Sequence, residues 1–204
     1  MTIPSHPADT APQPGLSTWL RFALLWFVLC GLTYPAVTTL LAGSVFPAQA
    51  NGSLITRNGQ VVGSALVGQT FSGVGDFIGR PSAAGVGYDP VNASGSNLAP
   101  SNPQLRRRVQ ALSAEIAARE GVPATQIPAD LLTASGSGLD PHISPAGAGI
   151  QVARVARARG LSEARVRELI GAATERGPLG LGGVGVNVLR LNLALDAAAP
   201  GTGR

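Results

Sequence analysis

Phe22–Leu41, FALLWFVLCGLTYPAVTTLL, is an apolar run without a charged residue, and Arg21 stands immediately before it. At a helical rise of about 1.5 Å per residue, roughly 20 such residues reach across a hydrocarbon core of about 30 Å. The run therefore reads as a membrane span. The competing reading is a secretory signal peptide, because Ala48-Gln49-Ala50 has the small-x-small form of a cleavage site. Against it, the run exceeds the usual apolar core of a signal, roughly 7 to 15 residues, and the segment before it carries Asp9 beside a single Arg. Pro35 does not argue against a helix, since a proline kink is tolerated within a transmembrane segment.

Outward from the run, the chain of 204 residues is 45% apolar and 13% charged, and no second apolar run of comparable length follows. One anchor plus one domain is the expectation, with a core of ordinary size after Ala50. The boundaries read as a disordered cytoplasmic tail at 1–18, a transmembrane helix and flank at 19–43, an extracytoplasmic α+β domain at 44–197 and a frayed tail at 198–204. With 27 Gly and 16 Pro, that domain is expected to be small, with long Gly/Ser/Asn-rich loops. Arg21 and the amino terminus abut one end of the span, while Ala42–Thr56 carries no charge. The positive-inside tendency then puts the amino terminus in the cytoplasm and the domain outside.

All 15 basic residues are Arg, giving a formal net charge of +4. Nucleic-acid binding would interleave basic residues with aromatic ones, and beyond residue 50 only Phe71, Phe77 and Tyr88 are aromatic. That partner is set aside. Cys30 is the only cysteine, which excludes an intramolecular disulfide.

Within the domain, Asn58-Gly59 between Leu54-Ile55 and Val61-Val62 predicts a β-hairpin with a type I′ turn, its second strand continuing through Ser64 to Gln69. Phe71–Pro103 is dominated by Gly, Ser, Asn and Pro, which inside a compact domain marks either a functional loop or disorder. Phe71, Phe77, Ile78, Tyr88 and Leu98 are anchors that a linker would lack, so an ordered loop presenting Arg80, Asp89 and Asn97 is expected.

Asn102-Pro103 opens a helix whose stripe is Leu105, Val109, Leu112 and Ile116, and Gly121-Val122-Pro123 closes it. Arg106-Arg107-Arg108 in its first turn opposes the helix dipole, which points to a partner or acidic lipid as well as to plain solubility. Further helices are expected over Pro128–Leu132, from Ser144-Pro145 to Gly160, and from the Ser162 cap through EARVRELIGAATE. Val184–Val188 alternates like a strand and passes into a terminal helix.

No catalytic constellation emerges. Gly180–Gly185 matches G-x-G-x-x-G, but here a helix precedes it and a strand follows, the reverse of a dinucleotide site. His142 is the only histidine of the domain, with Asp140 two residues away across Pro141, a spacing that seldom builds a triad. Paired cysteines and histidine clusters for a metal are missing. The alternatives that remain are a membrane-anchored extracytoplasmic serine hydrolase, which needs a serine hydroxyl beside His142, and a binding module released after Ala50.

YPAVTTLLAGSVFPAQANGSLI from Tyr34, GSALVGQTFSG from Gly63, GRPSA from Gly79, YDP from Tyr88, SGSNLAPSNPQL from Ser94, TASGSGLDPHISP from Thr133 and the closing VNVLRLNLALD follow one another in order. On these motifs the chain, from about Leu16 to Asp196, resembles the C subunit of the Kdp-type potassium-transporting ATPase. The resemblance implies a single-span, non-catalytic accessory subunit in the bacterial inner membrane. Its partners would be a channel-like potassium-translocating subunit, a P-type subunit that hydrolyses ATP, and membrane lipid. It also implies a catalytic chaperone that raises the ATP affinity of the hydrolysing subunit, with no cofactor of its own. Gln151, after TASGSGLD, is the residue to which the ATP-affinity role carries over. Arg80, Pro81, Asp89, Asn97 and Asn102 are the expected contacts with the channel-like subunit.

Overall fold

The computed structural model describes residues 15–177 and 182–199. The tail expected at 1–18 lies outside these up to residue 14, as do part of the Gly180–Gly185 match and the tail from residue 200. The apolar run opens as helix α1 (Leu16–Trp26), widens into a π-helical stretch at Phe27–Thr33 and continues as α2 (Tyr34–Val45). Pro35 has no N–H to close a turn onto Gly31, and the Tyr34 N–H instead reaches the Leu29 carbonyl, five residues back. The resulting 30-residue helix, of mean hydropathy 1.8, is long and apolar enough to cross a membrane. A short helix, α3 (Pro47–Ala50), follows, and the chain divides into two compact units between Asn51 and Gly52.

The second unit is α+β. Its hairpin joins β1 (Leu54–Arg57) to β2 (Gln60–Ser64) through Asn58 (φ 52°) and Gly59 (φ 77°), as the type I′ turn requires. β2 stops at Ser64, short of the expected Gln69. The Ser64 hydroxyl accepts the Leu66 N–H and its carbonyl accepts the Val67 N–H, which turns the chain there.

Helix α4 (Pro103–Glu120) starts where Asn102 Oδ1 accepts the Gln104 N–H and ends at Gly121, φ 69°. The helix expected over Pro128–Leu132 is a single 3₁₀ turn at Ala129–Leu131. One helix was expected from Pro145 to Arg159, but two form: α5 (Pro145–Gly149) and α6 (Val152–Arg159). Gly147 and Gly149 weaken the helix before the break, where the Gln151 N–H closes onto Ala148, three residues back.

After α7 (Glu163–Ala172), capped by Ser162, the expected last helical turn is instead strand β4 (Thr174–Arg176). β5 (Val184–Asn187) runs into α8 (Val188–Ala198), as the alternation predicted. β5 lies between β4 and β3 (His142–Ile143) in an antiparallel three-stranded sheet. The core gathers Ile143 and Val186 of the sheet, Val152 and Val155 of α6, Val166 of α7, and Leu191 and Leu195 of α8. Phe77 enters this core from the irregular stretch and is fully buried, worth about 1.5 to 3 kcal/mol of apolar transfer.

Candidate functional site

The irregular stretch has few backbone partners of its own, so buried side chains supply them. Asn192 of α8 accepts the Phe77 N–H at 2.8 Å and donates to the Phe77 carbonyl at 2.9 Å. Gln151, fully buried, does the same for Ile78, at 2.9 and 3.2 Å, and also donates to the Gly147 carbonyl. Two carboxamides thus stand in for the neighbouring strands. Just upstream, Arg154 donates to the carbonyls of Val74 and Asp76 and to the buried Glu120 carboxylate. Arg159, whose side chain has no exposed surface, donates to the Gly75 carbonyl, Asp76 and Asp196, each at 2.7 Å. Residues 74–78 are therefore fixed by side chains far away in sequence.

What this clamp carries is the loop that follows. Ser82 Oγ accepts the N–H groups of Ala84 and Tyr88 and donates to the Gly138 carbonyl. The Tyr88 hydroxyl donates to the Arg80 carbonyl, while Tyr88 itself holds φ 54°, a conformation costly for an aromatic residue. Gly138, at φ 71°, permits the approach: a Cβ there would lie 2.6 Å from the Ser94 carbonyl oxygen. GRPSA, YDP, SGSN and SGSGLD, separate in sequence, thus form one surface. Val86 and Val91 project from it fully into solvent.

Arg80 Nη1 donates to Asp140 at 2.8 Å, joining the loop to a second cluster. The His142 ring has its Nε2 2.9 Å from Glu175 and its Nδ1 3.5 Å from Asp140. Asp140, then Glu175, raise the His142 pKa above its ordinary range against the opposing effect of burial. The His142 contact, with Arg80 beside it, lowers Asp140 to about 2.

The folded state thus holds the His142 proton more tightly than the unfolded chain. That stabilisation is full below the ordinary His value of about 6.5 and is lost as pH rises through the folded one. The Asp140 contribution is full above 3.8 and fades as pH falls towards about 2. His142→Gln is expected to abolish the loss of thermal stability that sets in as pH rises above the ordinary His value of about 6.5, an effect of about 1 kcal/mol for half-exposed partners. Melting curves taken as pH rises from that value check it.

The ring's partners are the carboxylates of Glu175 and Asp140, where the serine-hydrolase alternative calls for a serine hydroxyl. Among the described residues, no group of three or more His, Cys, Asp and Glu is placed to hold a metal.

Residues 16–197 match the family described as "KdpC: K+-transporting ATPase, c chain". The chain belongs to the KdpC family. It is 53% identical to the "Potassium-transporting ATPase KdpC subunit" of Shewanella putrefaciens, covering 88% of this chain and 90% of that protein. With the same-named subunit of Acidobacterium capsulatum it shares 53%, over 89% and 97% of the two chains. With that of Sorangium cellulosum the figures are 55%, 88% and 97%. The resemblance carried by the ordered motifs is therefore borne out, and potassium transport, an ATPase subunit and one candidate span go with it.

The KdpC motifs place the expected residues in different settings. Arg80 and Pro81 line a cleft of about 230 Å³ with Tyr88, Leu112, Ile116 and Leu131. Asp89 caps the 3₁₀ turn Pro90–Asn92, bonding Val91 N–H and the Asn92 side chain. Asn97 is exposed at φ 50°, and Asn102 is committed to the start of α4. Gln151 meets this set from below, two residues before Arg80, through Ile78. Sequence reasoning missed Asn192, Arg154, Arg159 and Glu120. The signal available was polar residues at inward-facing helical positions, Asn192 between Leu191 and Leu195 above all.

Proposed function

We propose that the chain is a non-catalytic accessory subunit of an ATP-driven potassium import complex, needed for its assembly and activity. Its segment from Arg80 to Asn102 is the surface that docks on the extracytoplasmic face of the channel-like subunit. The observation that carries this reading is a loop fixed from inside by Gln151 and Asn192 while Val86 and Val91 stand free in solvent. A substrate site would draw its polar groups together in a pocket, whereas Ser82 and Tyr88 here bond backbone, Arg80 bonds Asp140 and Asp89 bonds its own turn.

In this reading the anchor crosses the bacterial inner membrane within residues 19–43, with the amino terminus in the cytoplasm and the domain from residue 44 outside. The single flanking Arg21 and the uncharged Ala42–Thr56 favour that orientation. ATP is bound by the hydrolysing subunit, and this chain brings no cofactor and binds no nucleic acid. As a catalytic chaperone it raises ATP affinity across the membrane as a coupling free energy of about 1 to 3 kcal/mol. Gln151 acts in that coupling by holding the docking loop.

Val86→Asp, Arg80→Ala and Asn97→Ala test the surface. Val86→Asp should leave the melting curve unchanged, because its side chain touches only solvent. It should nevertheless lower co-purification with the large subunits and weaken apparent potassium affinity about tenfold, the size of one lost interface anchor. All three variants co-purifying normally with unchanged potassium affinity would rule the surface out.

A further inference from the structure

We propose that the first two turns of α4 form an electrostatic foot that rests on anionic phospholipid headgroups. Arg106, Arg107 and Arg108 stand in sequence at the positive end of the helix dipole, where cations are unfavourable. Elsewhere in the domain arginines are neutralised within it: Arg57, Arg80, Arg119, Arg154, Arg159, Arg165, Arg167 and Arg190 each have a carboxylate partner. Arg106, Arg107 and Arg108 have none among the described residues, a lack they share within the domain only with the separate, exposed Arg157 and Arg176. The Arg108 Nε is buried without a hydrogen-bond partner.

Packing singles out the same end. The buried residues of α4 are Ile116 and Glu120, both near its carboxyl end, while Leu105, Val109 and Leu112 stay half-buried. The exposed Arg106 and Arg107, with the half-buried Arg108 adding positive charge beside a half-covered apolar stripe, fit a surface of phosphate oxygens, which accept bidentate arginine contacts.

Lipid is favoured over a soluble acidic partner by the tether. Six residues, from Phe46 to Asn51, follow the candidate span before the second unit begins, a reach of at most about 20 Å. A bilayer is therefore always present at high effective concentration, and basic residues near an anionic surface are attracted within about a Debye length. This inference does not depend on the Arg80–Asn102 docking surface.

The test uses the full chain in nanodiscs, with Cys30→Ser and a fluorophore on Gln104→Cys. In discs containing phosphatidylglycerol at low salt, quenching by an aqueous agent should fall about tenfold relative to pure phosphatidylcholine discs, as two or three arginines at the surface predict. Protection should vanish in about 0.5 M salt, where screening shortens to a few Å, and in R106Q/R107Q. The salt arm keeps the test decisive even if that variant were to unfold. Equal quenching in both lipids would overturn the proposal. So would protection that appears in either lipid only when the other subunits of the complex are added, which would assign the arginines to a protein.

Discussion

Gln151→Leu should lower the unfolding free energy of the domain by about 3 kcal/mol. The substitution strips the Ile78 N–H and carbonyl, and the Gly147 carbonyl, of a buried partner. Each buried group left unsatisfied costs about 1 to 3 kcal/mol, against which leucine returns some apolar burial. Arg154 loses a further acceptor, the Gln151 Oε1 at 3.0 Å. For a domain of this size the melting temperature should fall by about 10 °C. Asn192→Leu should cost a similar amount through Phe77. The two changes together should cost less than their sum, since both release one segment. Thermal melts of the detergent-solubilised full chain measure all three. A fall under about 1 kcal/mol for Gln151→Leu would mean that the carboxamide is not what holds Ile78.

Arg159→Leu should be at least as damaging, by about 3 to 5 kcal/mol, because it leaves charges behind that the fold had compensated. The guanidinium has no exposed surface and joins Gly75, Asp76 and Asp196. Its loss unpairs Asp76, while Asp196 keeps only the exposed Arg57 at 2.6 Å. Arg159→Lys should recover less than half, since one ammonium cannot reproduce three planar contacts. Denaturant midpoints give the comparison, and the Arg159→Leu loss should depend less on salt than an exposed pair would, because the guanidinium has no exposed surface. A loss that disappears at high salt would show instead an ordinary surface pair.

Local chemistry made part of this architecture legible. The span needed only the uncharged run around Cys30, the hairpin only Asn58-Gly59, and α4 its Asn102 cap and Gly121 stop. β3 and β4 were not legible, because two and three residues carry no period and exist as strands only by pairing with β5. Gly185 shows the same dependence: a Cβ there would sit 2.9 Å from that of His142.

The break between α5 and α6 escaped for a similar reason. It leaves Gln151 at the start of α6, reaching Ile78, 73 positions earlier in the chain. The site was half legible. Phe77 and Tyr88 were recognisable as anchors of an ordered loop, but the polar groups that secure it, from Asn192 to Arg159, act over separations that no local pattern encodes.

Amide hydrogen exchange, compared between the chain alone and the chain in its assembled complex, tests the central claim most directly. The amides of Phe77 and Ile78 should already be protected in the isolated chain to the level of core helices, and residues 81–101 should gain protection only on assembly. Rapid exchange at Phe77 and Ile78 in the isolated chain, or no change at 81–101 in the complex, would contradict it.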